Sequence, residues 1–365
     1  MKKNLIITAG ILGIFLLNSC TTTQSVVENV YLETSSPEES GLHLTKITEE
    51  AAGSVIGNTG LQSRSIASYS AWTGAANYND AKPDTYLKSY VGYCYNAQFY
   101  WGTSAFLAIS PDGQKIAYIT KSNNENNIVV RSAGAQGVTT QRTFRNIAGG
   151  FCWGSDNRLY FGDNNKPNYY ISSVNAEQGS IMQQHTNGNV DDGQPALSKD
   201  GKILYFTRWT SQYGPAIWAR NMETGELSSC TRGYNAFPDP NNNNAIYCVR
   251  NSSNGKSEIW HIDYVNGQES IILSDVNRSF TNPTLSPDGQ WLLVVANSVS
   301  SISKKNNTDI FVAKANGSQL TQLTYHPETD TCPVWSKDGN QIYFISSRGN
   351  KDKAYNIWRM NFNLQ

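Results

Sequence analysis

The chain has 365 residues, of which 39% are hydrophobic and 11% aromatic, and this content is sufficient to bury a large core. Lys+Arg and Asp+Glu each total 29, so the formal net charge is zero. A neutral chain of this kind gives no support for bulk binding to nucleic acid or to a charged membrane surface. We therefore predict a globular protein with no nucleic-acid partner.

Residues 1–19 are predicted to form a lipoprotein signal peptide. Two lysines precede an apolar run, Leu5 to Leu17, that is too short to span a bilayer comfortably. The following residues, Asn18-Ser19-Cys20, complete a segment that resembles a bacterial lipobox, and this resemblance implies acylation of Cys20. An ordinary cleaved signal that happens to contain a cysteine is the alternative.

Residues 20–40 are polar and rich in Ser and Thr, which predicts a tether between the lipid and a folded domain. Thr21 stands where an Asp would favour retention in the inner membrane in lipoproteins of this type. No acidic run resembling a surface-export signal follows. We expect a lipid anchor in the outer membrane, with the protein facing the periplasm and with no other membrane contact.

A repeated unit organises the remainder of the chain, and it is clearest between Thr331 and Met360. There PVWS reads as a buried strand, KDG as a tight turn, and QIYFIS and YNIWRM as two further strands. The turn residues of the six copies fall 42 to 50 residues apart, at Asp112, Asp156, Asp200, Asn242, Asp288 and Asp338. Most copies then pass a glycine into a fourth strand. Six copies of four strands predict an all-β fold, a six-bladed β-propeller.

A strand from the N-terminal side is predicted to close the ring. The sixth copy stops at its third strand, whereas Gly41 to Thr48 (GLHLTKIT) matches Gly317 to Thr324 (GSQLTQLT), the fourth strand of the fifth copy. We predict that residues 42–47 pair antiparallel with residues 356–361, which would cover an exposed sheet edge. The propeller would then span residues 41–365.

Residues 49–101 form a long insertion rich in Tyr and Trp, and they lack the repeated turn. The insertion joins a fourth strand to a first strand. In propellers such loops share one face with the second-to-third strand loops, and we call this the mouth face. The opposite face carries the first-to-second turns, and we call it the turn face. A long insertion in a compact domain is usually functional or disordered, so we expect function on the mouth face.

The repeat pattern Pro-x-x-Ser-x-Asp-Gly, followed by an apolar strand and Asn-Ile-Trp, resembles the repeat of TolB-like propellers. Pro333 to Trp358 matches best, and Pro195 to Trp218 and Pro283 to Phe311 match well. The resemblance implies the propeller fold and a family that includes TolB, a periplasmic partner of a peptidoglycan-associated lipoprotein. Hydrolase-linked propellers, lyases and scaffold modules of secretion machinery also belong to it. TolB has an additional N-terminal α/β domain, for which we expect no room in this chain.

Catalytic patterns are sparse in the sequence. The chain lacks the G-x-S-x-G elbow of a linked hydrolase domain. Of its four histidines, His43, His185, His261 and His326, only the last is predicted on a mouth-face loop, so we predict no metal site, no cofactor and no catalytic residue. Asp192 and Asp330 each precede a repeat proline by three residues, and this regularity favours a structural role, capping loop amides before the first strand.

The predicted second-to-third strand loops contain more basic than acidic residues, which suggests a basic rim that recognises an acidic partner. The candidate contacts are Arg208, Trp209, Tyr213, Arg250 and Arg348, with two tryptophans that the repeat does not explain, Trp72 and Trp101. Ordinary solvated polar loops are the alternative reading.

These features favour a non-enzymatic interaction platform for envelope proteins, of the peptidoglycan-associated or secretion-machinery class. Radial repetition presents many loops of similar geometry on a rigid ring, which suits docking of partners. The alternative is a periplasmic propeller that binds glycans or acts on them as a lyase or hydrolase, based on the aromatic insertion. A channel lined by converging carboxylates or histidines would favour this alternative.

Overall fold

The computed structural model describes residues 35–49, 106–122, 125–134, 136–145, 147–163, 168–178, 181–210, 214–304, 306–349 and 354–362. These residues form six antiparallel four-stranded sheets, which confirms the predicted six-bladed all-β propeller. One 3-10 helix, Pro37–Glu39, is the single helical element of this described part. No helix within it is long and apolar enough to cross a membrane.

Each blade contributes an inner strand at the channel, two middle strands and an outer strand. Blade 1 contains β2 (Leu107–Ile109), β3 (Lys115–Ser122), β4 (Glu125–Ser132) and β5 (Thr140–Gln141). Blade 2 contains β6 (Ile147–Trp153), β7 (Arg158–Asp163), β8 (Tyr170–Asn175) and β9 (Gln183–Gln184). Blade 3 contains β10 (Asp191–Leu197), β11 (Ile203–Thr210), β12 (Gly214–Asn221) and β13 (Leu227–Arg232).

The remaining blades follow the same order. Blade 4 contains β14 (Tyr234–Asp239), β15 (Asn242–Asn251), β16 (Ser257–Asp263) and β17 (Gln268–Leu273). Blade 5 contains β18 (Phe280–Leu285), β19 (Trp291–Val299), β20 (Asn306–Lys314) and β21 (Thr321–Gln322). Blade 6 contains β22 (Asp330–Trp335), β23 (Gln341–Ser346), β24 (Asn356–Asn361) and the N-terminal β1 (Thr45–Lys46).

The six inner strands surround the central channel. Each one packs beside the inner strands of the two neighbouring blades, so that β2 contacts both β6 and β22 and the ring is complete. Apolar side chains of the middle strands fill the space between adjacent blades, as Ile116, Phe161 and Ile345 do in one cluster that joins blades 6, 1 and 2. Blades 1 and 4 therefore lie opposite each other across the channel, and so do blades 3 and 6.

The N-terminal strand closes the ring as predicted. Thr45 pairs with Arg359 and Lys46 with Trp358, both antiparallel. Two backbone hydrogen bonds extend the pairing beyond the two-residue strand, from Ile47 N to Ile357 O at 2.8 Å and from Asn361 N to Leu42 O at 2.8 Å. The edge of β24 is therefore covered by a segment that lies about 310 residues away in the chain.

The segment before the closing strand also packs on the ring, although the sequence analysis placed residues 20–40 in a tether. Ser36 and Glu39 are buried, and the Glu39 carboxylate accepts a hydrogen bond from Tyr325 N at 2.7 Å. A tether in residues 20–34 stays a prediction, because those residues lie outside the described part of the chain.

Candidate functional site

A cavity of about 410 Å³ occupies the turn-face end of the central channel, and we call it the funnel. Its wall consists of the C-terminal halves of the inner strands, Leu107–Ile109, Phe151–Trp153, Gln194–Leu197, Asn235–Pro238, Asn282–Leu285 and Cys332–Trp335. The turn residues that follow five of these strands, all except that of blade 2, complete the funnel rim. The cavity therefore lies at the opposite end of the channel from the mouth face, where the sequence analysis expected function.

The Ser-x-Asp-Gly turns fix the rim through a recurring set of hydrogen bonds. In blade 6 the Ser336 hydroxyl donates to Asp338 Oδ1 at 2.5 Å, and the same carboxylate oxygen accepts from Asn340 N at 3.1 Å. Gly339 has a φ of 74°, a left-handed conformation that glycine adopts without steric cost. These bonds stabilise the charged carboxylate and lower the pKa of Asp338, as they do at Asp112, Asp200 and Asp288.

In blades 1, 3, 4, 5 and 6 the second residue of the turn lies at the rim of the funnel. Prolines occupy this position in blades 1 and 5, and Pro240 occupies it in the irregular turn of blade 4. Blades 3 and 6 instead carry Lys199 and Lys337, which are both exposed. Because blades 3 and 6 are opposite in the ring, the two lysines face the funnel from opposite sides.

The wall of the funnel is mainly apolar. The residue two positions before the turn lines the funnel in every blade, and the six are Ala108, Cys152, Ala196, Phe237, Thr284 and Val334. Repeat prolines at positions 195, 283 and 333 add rigid hydrocarbon, and an inner strand tolerates proline because it is an edge strand. Burial raises the pKa of Cys152 to about 12, so its thiol stays protonated at neutral pH.

Strained residues hold the wall in a fixed geometry. Gln194, Asn235, Asn282 and Cys332 have φ values of 50° to 53° at a β-bulge of their inner strands. The Gln194 side-chain oxygen accepts from Thr207 Oγ1 at 2.8 Å and from Asn235 N at 2.9 Å, which ties blade 3 to blade 4. A strained backbone conformation persists only where the surrounding contacts enforce it. The wall therefore has a fixed shape, and the funnel is a preformed cavity.

The structure pairs two predicted contact residues with carboxylates. Arg208 forms a bidentate ion pair with Asp192, with Nε–Oδ1 at 2.7 Å and Nη2–Oδ2 at 2.9 Å, and it stacks over Trp218. Arg250 donates to both oxygens of Glu269 and stacks over Trp260. Asp192 is therefore a buried ion-pair partner rather than a cap for loop amides. Neutralised and stacked guanidinium groups are weak candidates for a basic rim.

Arg348 is not a surface contact in this structure. Its side chain is 0% exposed and donates to Glu39 Oε2 at 3.0 Å and to Oε1 at 3.1 Å. It also donates to Asp330, which the sequence analysis expected to cap loop amides. A guanidinium buried between two carboxylates holds the N-terminal segment on blade 6, so we correct its predicted role from partner binding to structure.

Trp209 also has a structural position, because it is 6% exposed and packs with Tyr169 and Tyr234 between blades. The other predicted site residues, Cys20, Trp72, Trp101 and Tyr213, lie outside the described residues. Within the described ranges, no group of three or more His, Cys, Asp or Glu side chains is placed to hold a metal ion. The four predicted contact residues that the structure describes are spread over blades 3, 4 and 6 rather than gathered in one place.

Sequence reasoning missed the two rim lysines. The signal is present, since Lys199 and Lys337 occupy the same position of the repeat where other blades carry proline. Their opposition across the channel becomes apparent only when the six copies are arranged as a ring.

Comparison with known proteins supports the architecture. Residues 252–363 match the family model described as PD40, TolB beta propeller domain. TolB from Acinetobacter baumannii superposes with a TM-score of 0.53 at 15% identity, over 68% of this chain but only 64% of that chain. A putative TolB from Agrobacterium tumefaciens gives 0.53 at 16% identity, over 71% of this chain and 90% of that chain.

An oligogalacturonate lyase from Vibrio parahaemolyticus is also similar, with a TM-score of 0.50 at 11% identity, over 71% of this chain and 90% of that chain. At these identities the likeness concerns the fold. The repeated turns, the six closed blades and the family match agree with one another: the chain is a six-bladed β-propeller, and its residues 252–363 match the TolB beta propeller domain.

Proposed function

We propose that the chain is a non-enzymatic platform of the bacterial envelope that docks a partner protein in the funnel. The supporting observation is a preformed cavity of about 410 Å³ with a mainly apolar wall, open at one face of the ring. Exposed apolar concavities of this kind are uncommon on soluble proteins, and they usually mark binding sites. A rigid wall lowers the entropic cost of docking, because little of it must be ordered when the partner binds.

The position of the N-terminal segment gives this platform an orientation. Glu39 contacts Arg348 on the second-to-third strand loop of blade 6 and Tyr325 on the connection between blades 5 and 6. Both loops lie on the mouth face. A lipid anchor at Cys20, followed by a tether in residues 20–34, would reach the ring from that face. The funnel on the turn face would then point away from the outer membrane into the periplasm.

The anchor has its own test. Acylation of Cys20 would hold the protein on the membrane, since each buried CH₂ contributes about 0.8 kcal/mol. We expect Cys20→Ser to move the protein from the membrane fraction to the soluble periplasmic fraction. Retention of the variant in the outer membrane would contradict the proposed anchor but would leave the funnel proposal intact.

A variant that fills the funnel tests docking. Ala108 lies opposite Phe237, and both occupy the same position of the repeat, so Ala108→Phe introduces a side chain that this ring already accepts. We expect the variant to capture at least about tenfold less partner protein from reversibly crosslinked cells. The matched control is Val276→Asp, on an exposed mouth-face loop, which should leave capture unchanged. Equal capture by Ala108→Phe would overturn docking in the funnel.

The glycan alternative makes a different prediction in the same experiment. A glycan-binding propeller would retain envelope polysaccharide rather than a protein, and Ala108→Phe would release that polysaccharide. Mass spectrometry of the captured protein, together with sugar analysis, distinguishes these outcomes.

A further inference from the structure

The two rim lysines lack ionic partners among the described residues, and this distinguishes them from four arginines of the blades. Arg145, Arg208, Arg250 and Arg348 all pair with carboxylates. Lys199 and Lys337 form no such pair within the described part of the chain, and the residues lining the funnel there include no Asp or Glu. Within the described residues, the lining of the funnel therefore includes two lysines and no acidic side chain.

The nearest turn carboxylates are occupied by neutral donors. Asp200 accepts from the Ser198 hydroxyl at 2.7 Å and, through its other oxygen, from Asn243 Nδ2 at 2.9 Å. Asp338 is held in the same way by Ser336 and Asn340. These bonds hold each carboxylate within its own turn. Asp200 and Asp338 therefore follow the lysines in sequence but form no ion pair with them.

We propose that the funnel binds an acidic and apolar polypeptide segment of the partner protein, with its carboxylates on Lys199 and Lys337 and its apolar side chains against the wall. This inference rests on the proposed function, since it specifies the chemistry of the docked segment. The two lysines face each other across the ring, so acidic groups on either side of an apolar core fit them best. Charge complementarity at a rim chiefly increases the association rate and makes binding sensitive to salt.

The wall favours a polypeptide over an acidic polysaccharide. Its surface is mainly proline, aromatic and small aliphatic side chains, including Phe237, Val334 and Trp335. A sugar polymer placed there would lose water from hydroxyl groups that this wall cannot satisfy, and unpaired buried polar groups are costly. Apolar side chains of a peptide gain from the same contact.

Selection from a library of random twelve-residue peptides tests the inference directly on the full-length protein. We expect peptides enriched on the wild-type protein to combine acidic with apolar residues and to lose binding to Ala108→Phe. The double variant Lys199→Glu, Lys337→Glu should bind the same peptides at least tenfold more weakly. The control Lys202→Glu changes an exposed lysine on the same face that lies outside the funnel, and it should have little effect.

Salt dependence supplies a second measurement on the selected peptides. Their affinity for the wild-type protein should fall between 50 and 200 mM NaCl, and the affinity for the double variant should change far less. The inference is overturned if the enriched peptides are neutral or basic, if the double variant binds them equally, or if only polygalacturonate binds. In the first two cases the proposed function would still hold if the wild-type protein captures a partner from cells and the Ala108→Phe variant does not.

Discussion

Two buried carboxyl groups pair with one buried guanidinium, and a third lies beside them, where the N-terminal segment meets blades 5 and 6. Arg348 pairs with Glu39 and Asp330, while Asp309 receives hydrogen bonds from Ser298, from Gln322 Nε2 at 3.0 Å and from Thr324 Oγ1 at 3.3 Å. Burial, followed by the charges of Asp330 and Glu39, raises the pKa of Asp309 to about 8. One cation does not balance three carboxylates, so burial and the neighbouring negative charges favour the protonated form of Asp309.

The stability of the protein should depend on pH through this residue. The pKa of Asp309 is about 8 in the folded protein, against about 4 for an aspartate in an unfolded chain. The folded state therefore keeps a proton that the unfolded state loses, and the free energy of unfolding falls as pH rises from about 4 to 8. Asp309→Asn should flatten this slope and raise the free energy of unfolding at pH 9 by at least about 1 kcal/mol.

Denaturant unfolding at pH 5, 7 and 9 measures this effect. An amide suits the site, because Asn127 and Asn356 occupy the same position in blades 1 and 6 and accept from Thr143 and Thr48 hydroxyls. The control Asp288→Asn removes a turn carboxylate whose pKa is lowered, so its loss should reduce stability at pH 7 more than at low pH. Parallel pH profiles for the wild type and Asp309→Asn would contradict the account.

The closing strand is the element on which the ring depends. Thr48, which follows β1 by two residues, donates from Oγ1 to Asn356 Oδ1 at 2.8 Å and accepts from Ile357 N at 2.9 Å. Thr143, Thr186 and Thr324 accept the equivalent backbone bond in other blades. The N-terminal segment thus forms, where the two ends of the chain meet in blade 6, the same threonine hydrogen bond that the other three blades form between consecutive strands.

Replacing Thr48 should weaken the seam. Thr48→Val keeps the β-branched shape but leaves the Ile357 N–H without its acceptor, which should cost about 1–2 kcal/mol of unfolding free energy. The control Thr45→Val lies on the same strand in a half-buried position and should change stability by less than about 0.5 kcal/mol. Thermal and denaturant unfolding measure both variants, and equal stability for the two would argue against the role of Thr48.

Closure could be predicted from the sequence because GLHLTKIT repeats the residue types of GSQLTQLT, including the threonine that bridges the strands. The Ser-x-Asp-Gly turns could also be predicted from the sequence, since their spacing determines the number and the approximate limits of the blades. The burial of Arg348 could not be predicted, because Ser347-Arg348-Gly349 after a strand is typical of a polar loop and the partner Glu39 lies 309 residues earlier. Long-range ion pairs leave no local pattern.

At the scale of the whole molecule, the two faces of the ring present their basic side chains differently. The arginines predicted for the mouth face are neutralised by carboxylates where the structure describes them, Arg208 by Asp192, Arg250 by Glu269 and Arg348 by Glu39 and Asp330. The turn face keeps two lysines over an apolar funnel. Since the N-terminal segment docks at the mouth face, a membrane anchor and a docked partner would occupy opposite ends of the channel.

Site-specific photo-crosslinking in intact cells tests the central claim of docking at the turn face most directly. A photoreactive amino acid is placed at Pro287 on the funnel rim, or at Val276 on the mouth face as the control, and both positions are exposed. We predict a discrete protein adduct from position 287 and none of that mass from position 276. An adduct that forms from position 276 but not from position 287 would contradict docking in the funnel.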